Sequence, residues 1–337
     1  VCSPDRKLEM LRAHLLCAAL LPWATSITTI TDRQVVEYWH RHNGWFLSHA
    51  ALQRGREELP LAAKREIDVD LPESFDARER WPQCRSISEI YDQGACGDCW
   101  AVATVMAATD RWCIARNGTS NPRLSIEHMV GCCKACGYGC ADGFPNYAWS
   151  WLAGGKGEPY GLVTGGAVNN TRWCCAYTIP RCNHYDTPHE SSLPSCEHGP
   201  PHPTPTCPTS CDADSKHKVP FAKDIHRFSS AFAVPADEES IMKEIFTHGP
   251  VTAGFNVYSD WVHYPKGTPS NGVYRPEGGE DMGGHAVRII GWGVADGDKY
   301  WLVANSFGDK WGEKGLFKIL RGVGSAGIEA SVVAGLP

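Results

Sequence analysis

The sequence has no surplus of positive charge: 32 Lys and Arg stand against 38 Asp and Glu, a formal net charge of -6. With a pI near 6.2, it offers no basic surface to neutralise phosphates, which argues against nucleic acid and an anionic membrane as partners. It also lacks any run of about 18 to 20 apolar residues, the length a bilayer-spanning helix needs. Nor does it have the depleted hydrophobic content of a disordered chain. At 337 residues, 42% hydrophobic and 21% charged, it can bury one large core or two smaller ones.

What it has in excess is cysteine. Sixteen are present, and fourteen of them lie between Cys84 and Cys211, a density typical of oxidising compartments. Residues 1–26 supply a matching signal: from Met10, a basic start and a short apolar stretch lead to small residues at Ala24 and Ser26 suited to cleavage. Met10 is a candidate start, with residues 1–9 as read-through. The sequons at Asn117 and Asn169 fit the same route.

Residues 27–70 begin with Thr31 as a helix cap before an amphipathic stretch, and they carry Trp39, Trp45 and Phe46 in a segment too short to bury them alone. Such a segment needs an outside surface, so it reads as a propeptide lying over a site. From Cys99 to Cys113 the chain is alanine-rich and free of Gly and Pro, which predicts a buried helix with Cys99 at its N-terminus. Residues 154–220, crowded with Gly, Pro and Cys, read as disulfide-held loops. Beyond Phe221, short apolar runs between glycines (251–258, 286–292, 300–305 and 315–320) are strand signals. A helical first half and a β-rich second half predict an α+β protein of two lobes with a cleft between them.

A thiol becomes a useful nucleophile when ionised, and a helix N-terminus with a nearby imidazolium favours ionisation. Cys99 has the first by position. His285, preceded by Gly283 and Gly284, which let backbone pass close to a substrate, is the candidate for the second. Asn305, ending another strand run, can orient the imidazole, and Gln93 can donate to an oxyanion together with the Cys99 backbone N–H. Taken singly, a cysteine here is usually a disulfide half and a histidine structural; the conjunction is what carries weight.

The blocks Gln93-Gly-Ala-Cys-Gly-Asp-Cys-Trp100, Gly283-Gly-His-Ala286 and Asn305-Ser306 resemble the three signature blocks of papain-family cysteine peptidases, in the family's order. The extra sequence between Cys99 and His285, Leu71-Pro-Glu-Ser-Phe-Asp and Lys318-Ile-Leu-Arg-Gly resemble the cathepsin B branch. The resemblance covers residues 71–337 and implies the papain-like two-lobed fold with a β-barrel-like second lobe. It implies a cysteine-type endopeptidase with weaker dipeptidyl-carboxypeptidase action, no metal or cofactor, and a monomer that is lysosomal or secreted. Partners would be peptide and protein substrates and its own propeptide as inhibitor. Implied disulfides are 84–113, 96–140, 132–207, 133–136, 182–196, and Cys174 or Cys175 with Cys211. The competitors are a non-catalytic binding relative and a zinc module built on Cys132, Cys133, Cys136 and Cys140.

Four departures from that pattern stand out, together with one at the S2 pocket. Asp98 replaces the usual serine beside the nucleophile, where a carboxylate opposes a thiolate. Phe307 stands where the family places a tryptophan over the Asn–His bond. Asp142 replaces a glycine in the substrate-binding run after Cys140, while Gly143 is kept. In the occluding loop 182–196 the family's histidine pair reads His184-Tyr185, with Asp92 matching the carboxylate that holds the first histidine. Ser331 sits where the branch carries an acidic S2 residue.

Overall fold

In a computed structural model of the chain, the residues described are 59–60, 69–155, 160–186, 192–196, 202–266 and 268–337. The signal region 1–26 and all of 27–70 except four residues lie outside them. Within the described part, β1 (Phe75–Asp76) and α1 (Ala77–Arg80) lead to α2 (Cys99–Ala115), the structural axis of the first lobe. Alanine and other small side chains let neighbours approach α2 from every side, and fourteen of its 17 residues are buried. Packed on it are α3 (Ile126–Cys132), capped by the Ser125 hydroxyl accepting from the His128 N–H, and α4 (Pro145–Leu152), which opens on proline.

The described residues between 160 and 223 are loops apart from the short pair β2 (Gly165–Gly166) and β3 (Cys175–Ala176) and the 3₁₀ turns His184–Asp186 and Phe221–Lys223. The second lobe is an eight-stranded sheet. It comprises β1, β4 (Ser230–Ala233), β5 (Val251–Tyr258), β6 (Val273–Tyr274), β7 (Asp281–Ala295), β8 (Asp298–Ala304), β9 (Leu316–Leu320) and β10 (Val332–Leu336). Its order is β4-β10-β5-β7-β8-β9-β6, with β1 on β7. The expected strands are all present, and α5 (Glu238–His248), which the reading above did not place, is capped by Asp237.

Each lobe has its own core: one around α2 with Trp100, Trp149 and Trp151, the other inside the sheet with Phe255, Trp261, Trp292 and Phe317. Ala286 of β7 belongs to the helical core, so the lobes meet where α2 begins. Behind that seam, buried ion pairs join them. Arg288 of β7 bonds Asp110 of α2 at 2.6 Å, and Arg111 of α2 bonds Glu244 of α5 at 2.9 Å. Leu59 packs against the helical core, and the Pro60 carbonyl accepts from the Ala233 N–H at 3.1 Å.

Six disulfides are formed: 84–113, 96–140, 132–207, 133–136, 174–211 and 182–196. The pairing implied by resemblance is therefore realised, and Cys174 rather than Cys175 takes Cys211. Cys132, Cys133, Cys136 and Cys140 are all consumed in S–S bonds, which leaves the zinc reading no thiolate ligands. Among the described residues, Cys99 and Cys175 remain as buried thiols.

Candidate active site

Cys99 is the first residue of α2, and two backbone N–H groups face its sulfur: that of Trp100 in its own helix and that of Ala286 in β7. The second contact ties the thiol to the strand that carries His285. The His285 Nε2 lies 2.8 Å from the Asn305 Oδ1, and the Ser306 N–H donates to the same oxygen at 2.8 Å. Because that oxygen only accepts, Nε2 carries the imidazole proton, and Nδ1 is left for exchange with another group. Phe307 covers this pair with its ring 5.0 Å from His285, and Trp261 adds a second wall at 5.6 Å. The smaller ring at 307 is thus supplemented by Trp261, a contribution the sequence did not disclose.

The turn before the thiol is held from both ends. Gln93 donates its backbone N–H to the Ser306 carbonyl at 2.9 Å, and its side-chain oxygen accepts from the Ser306 hydroxyl at 2.5 Å. Its amide nitrogen donates to the Cys96 carbonyl at 2.7 Å, leaving a second N–H on the same atom. Gly94 is required here, with φ at +62° and a would-be Cβ 2.3 Å from the Pro180 carbonyl oxygen. Ser306 and Tyr177, whose hydroxyl reaches the Gln93 carbonyl at 2.9 Å, are the organising residues that the sequence reading missed.

Both reacting groups are fully buried, at 0% exposure. Burial pushes the Cys99 thiol well up, against the Ala286 N–H, and neighbouring Asp98 and Asp142 push it further. Burial likewise brings the His285 imidazole down to about 4, despite its bond to Asn305. Desolvation is the largest influence on both groups, and it favours their neutral forms. Asp98 also differs from expectation: it is fully buried, and burial pushes its carboxyl well above the usual range, against the Tyr177 hydrogen bond.

On the cleft wall, Gly143 rests on the Trp100 ring, where a Cβ would come within 2.4 Å. Its N–H donates to the Asp142 side chain at 2.7 Å. Gly284 pairs with Asn256 of β5. The occluding loop is docked at its stem: the buried His184 Nε2 lies 3.0 Å from Asp92 Oδ1 and its ring stacks on Phe307 at 4.4 Å. Arg181 reaches the other Asp92 oxygen at 3.4 Å. Tyr185 adopts a left-handed conformation, φ 53°, and also leans on Phe307. Residues 187–191 of the loop lie outside the described set. Ser331 is half-buried and closes the 3₁₀ segment Ser325–Ser331 before β10. In the same segment Glu329 is occupied structurally, accepting from Trp301 Nε1 and the Gly322 and Gly324 N–H groups.

A thiol at a helix start, an imidazole bonded to an amide and a two-lobed α+β frame define a cysteine peptidase. Comparisons with known proteins agree. The family model described as papain family cysteine protease matches residues 71–336. Cathepsin B-like cysteine proteinase 5 of Caenorhabditis elegans is 44% identical over 275 residues, covering 81% of this chain and 76% of that protein. A cathepsin B-like cysteine proteinase of Schistosoma japonicum is 41% identical over 281 residues, 83% and 78% of the two chains. Among solved structures, proCathepsin B S9 from Trypanosoma congolense superposes with a TM-score of 0.69 at 33% identity, covering 88% of each chain. The chain belongs to the papain family of cysteine proteases, in its cathepsin B-like branch.

Proposed function

We propose that Cys99 is the nucleophile of a peptide-bond hydrolase, with His285 as its proton carrier, Asn305 as the orienting group and Gln93 as the oxyanion donor. The observation that carries this is that one strand, β7, brings both a backbone N–H to the Cys99 sulfur and the adjacent His285 into place. The Ala286 N–H faces the Cys99 sulfur, while the neighbouring His285 is held by Asn305 at 2.8 Å. In the open cleft, the Cys99 proton passes to His285 and the sulfur attacks the substrate carbonyl. The tetrahedral oxyanion takes hydrogen bonds from the Cys99 backbone N–H and the second Gln93 amide N–H. Collapse to a thioester expels the amine, which leaves with the proton from His285; water then releases the acid and restores the thiol.

Residues 27–70 act as the inhibitor in cis, a role supported by the procathepsin neighbour and by Leu59 and Pro60 lying on the body of the enzyme. The substrates are peptides and proteins, in a lysosomal or extracellular setting that six disulfides suit. Endopeptidase action predominates, with dipeptidyl-carboxypeptidase action secondary. A substrate carboxylate at the primed end needs a cationic partner, and His184-Tyr185 offers only one imidazole. Cys99→Ser should abolish hydrolysis of dipeptide-linked fluorophores while leaving the fold intact; wild-type turnover in that variant would refute the assignment.

A further inference from the structure

Asp98 adjoins the nucleophile, where a carboxylate ought to be a liability, yet it is fully buried and its Oδ1 has no hydrogen-bond partner among the described residues. Its Oδ2 lies 2.8 Å from the Tyr177 hydroxyl, which in turn lies 2.9 Å from the Gln93 carbonyl oxygen. Three oxygens in a row make two short contacts, and each contact needs a hydrogen. The Gln93 carbonyl has none to give, and Tyr177 has one. With Asp98 ionised, one of the two contacts would join oxygens with no proton between them.

We propose that Asp98 works as a neutral carboxylic acid, a positioning residue that donates through Tyr177 to the Gln93 carbonyl and so locks the turn from Gln93 to Cys99. The carboxyl O–H goes to the Tyr177 oxygen, the Tyr177 O–H goes to Gln93, and every contact then holds one hydrogen. Oδ1 is the carbonyl oxygen of an acid, with the Asp98 N–H the nearby donor to the carboxyl, and a neutral acid tolerates so thinly partnered a burial far better than half of a buried charge does. The surroundings agree. The acids facing Asp98 are Glu127 from α3 and Asp92 from the preceding turn, with Asp142 acting on the same thiol. Cys99 beside it becomes anionic in the reaction, and His285 is the cation that then forms across the thiol. Burial favours the protonated form further. The lock secures the end of Gln93 opposite to Ser306, so the oxyanion donor is fixed through both its backbone and its side chain.

The inference rests on the proposed nucleophile and oxyanion roles. Loss of the Asp98 proton at alkaline pH breaks one link of the chain and places a charge beside the thiolate, so it sets an alkaline limit on turnover. Asp98→Ala should lower kcat about tenfold, the cost of one hydrogen bond of this kind. Asp98→Asn keeps a donor that cannot ionise, so it should restore most of kcat and move the alkaline limb of kcat/KM to higher pH. Tyr177→Phe should resemble Asp98→Ala, and combining the two should cost little more than either alone. Concentrations are fixed by titrating Cys99 with an epoxide, so misfolded protein does not enter the rates. Infrared spectra of the Cys99→Ser protein at neutral pH should contain a buried carboxylic-acid carbonyl band that is missing after Asp98→Asn. An unmoved alkaline limb in Asp98→Asn, or no such band in the parent, overturns the proposal. Failure of Cys99 to react with the epoxide would instead remove the functional reading beneath it.

Discussion

The chemistry of this site is concentrated in side chains whose ordinary behaviour is altered by what surrounds them. Cys99, His285 and Asn305 were legible in sequence because each lies in a short contiguous block whose residue types already imply the role. The contacts of Ser306 and Tyr177 with Gln93 were not legible, since they span 213 and 84 residues, and Ser306 stands out in sequence only as part of a signature block. The opposition of Asp98 to a Cys99 thiolate was legible from adjacency alone, whereas its burial was not, because a sequence carries no measure of burial. Ser331 provides a prediction at this scale. The resemblance places Ser331 at the S2 pocket in place of an acidic residue; on that assignment a P2 arginine gains no ion pair there, so Phe-Arg substrates should be cleaved better than Arg-Arg ones. Ser331→Glu should raise kcat/KM for Arg-Arg several-fold with little change for Phe-Arg. An Arg-Arg preference in the unmodified enzyme would contradict the assignment.

Elements carry these side chains, and their placement depends on ties that lie away from the cleft. The helix α2 was visible in its alanine content, and β5 and β7 to β9 in their apolar runs. By contrast, β4 is four residues long and α5 balances apolar and charged residues, so neither announces itself until packing is seen. The angle between α2 and β7 is secured by Asp110 and Arg288, both almost fully buried and bonded at 2.6 Å. Asp110→Ala should cost about 3 to 5 kcal/mol in denaturant unfolding, because it strands a buried guanidinium. Loss of less than about 1 kcal/mol would mean the pair does not hold the lobes. The occluding-loop stem gives a second test. His184→Ala should nearly abolish release of C-terminal dipeptides while sparing internal cleavage, and Tyr185→His should increase that release. Unchanged dipeptide release in His184→Ala would detach this loop from exopeptidase action.

At the level of the whole molecule, the two lobes were readable from the change in character near Phe221, and the burial of particular histidines was not, since it depends on packing across the fold. That burial has a pH signature. His285 and His128 are both brought down to about 4 by burial. A histidine lowered on folding takes up its proton more readily when unfolded or exposed. Its contribution to stability is therefore complete above the unfolded value near 6.5 and is lost as pH falls from there to about 4. The raised carboxyls of Asp98, Asp110 and Glu127 act in the opposite sense, so the test is a difference: relative to the full-length Cys99→Ser protein, His128→Gln in that background should lose less Tm as pH falls across the window. Identical pH dependence in the two proteins would show that the His128 imidazole is not held neutral. Mature protein should also be inhibited by a peptide of residues 27–70, given the aromatic surface that segment must cover; no inhibition at micromolar concentration would count against an inhibitory propeptide.

The central claim is that Cys99 alone among the cysteines is the nucleophile of a peptidase, and active-site titration of matured enzyme with an epoxide inhibitor tests it most directly. The expected result is loss of activity in proportion to bound inhibitor, reaching zero at one equivalent. Peptide mass mapping should place the adduct on Cys99, with Cys175 and the twelve disulfide cysteines unmodified. Full inactivation with Cys99 unlabelled, or full labelling of Cys99 with hydrolysis intact, would contradict it.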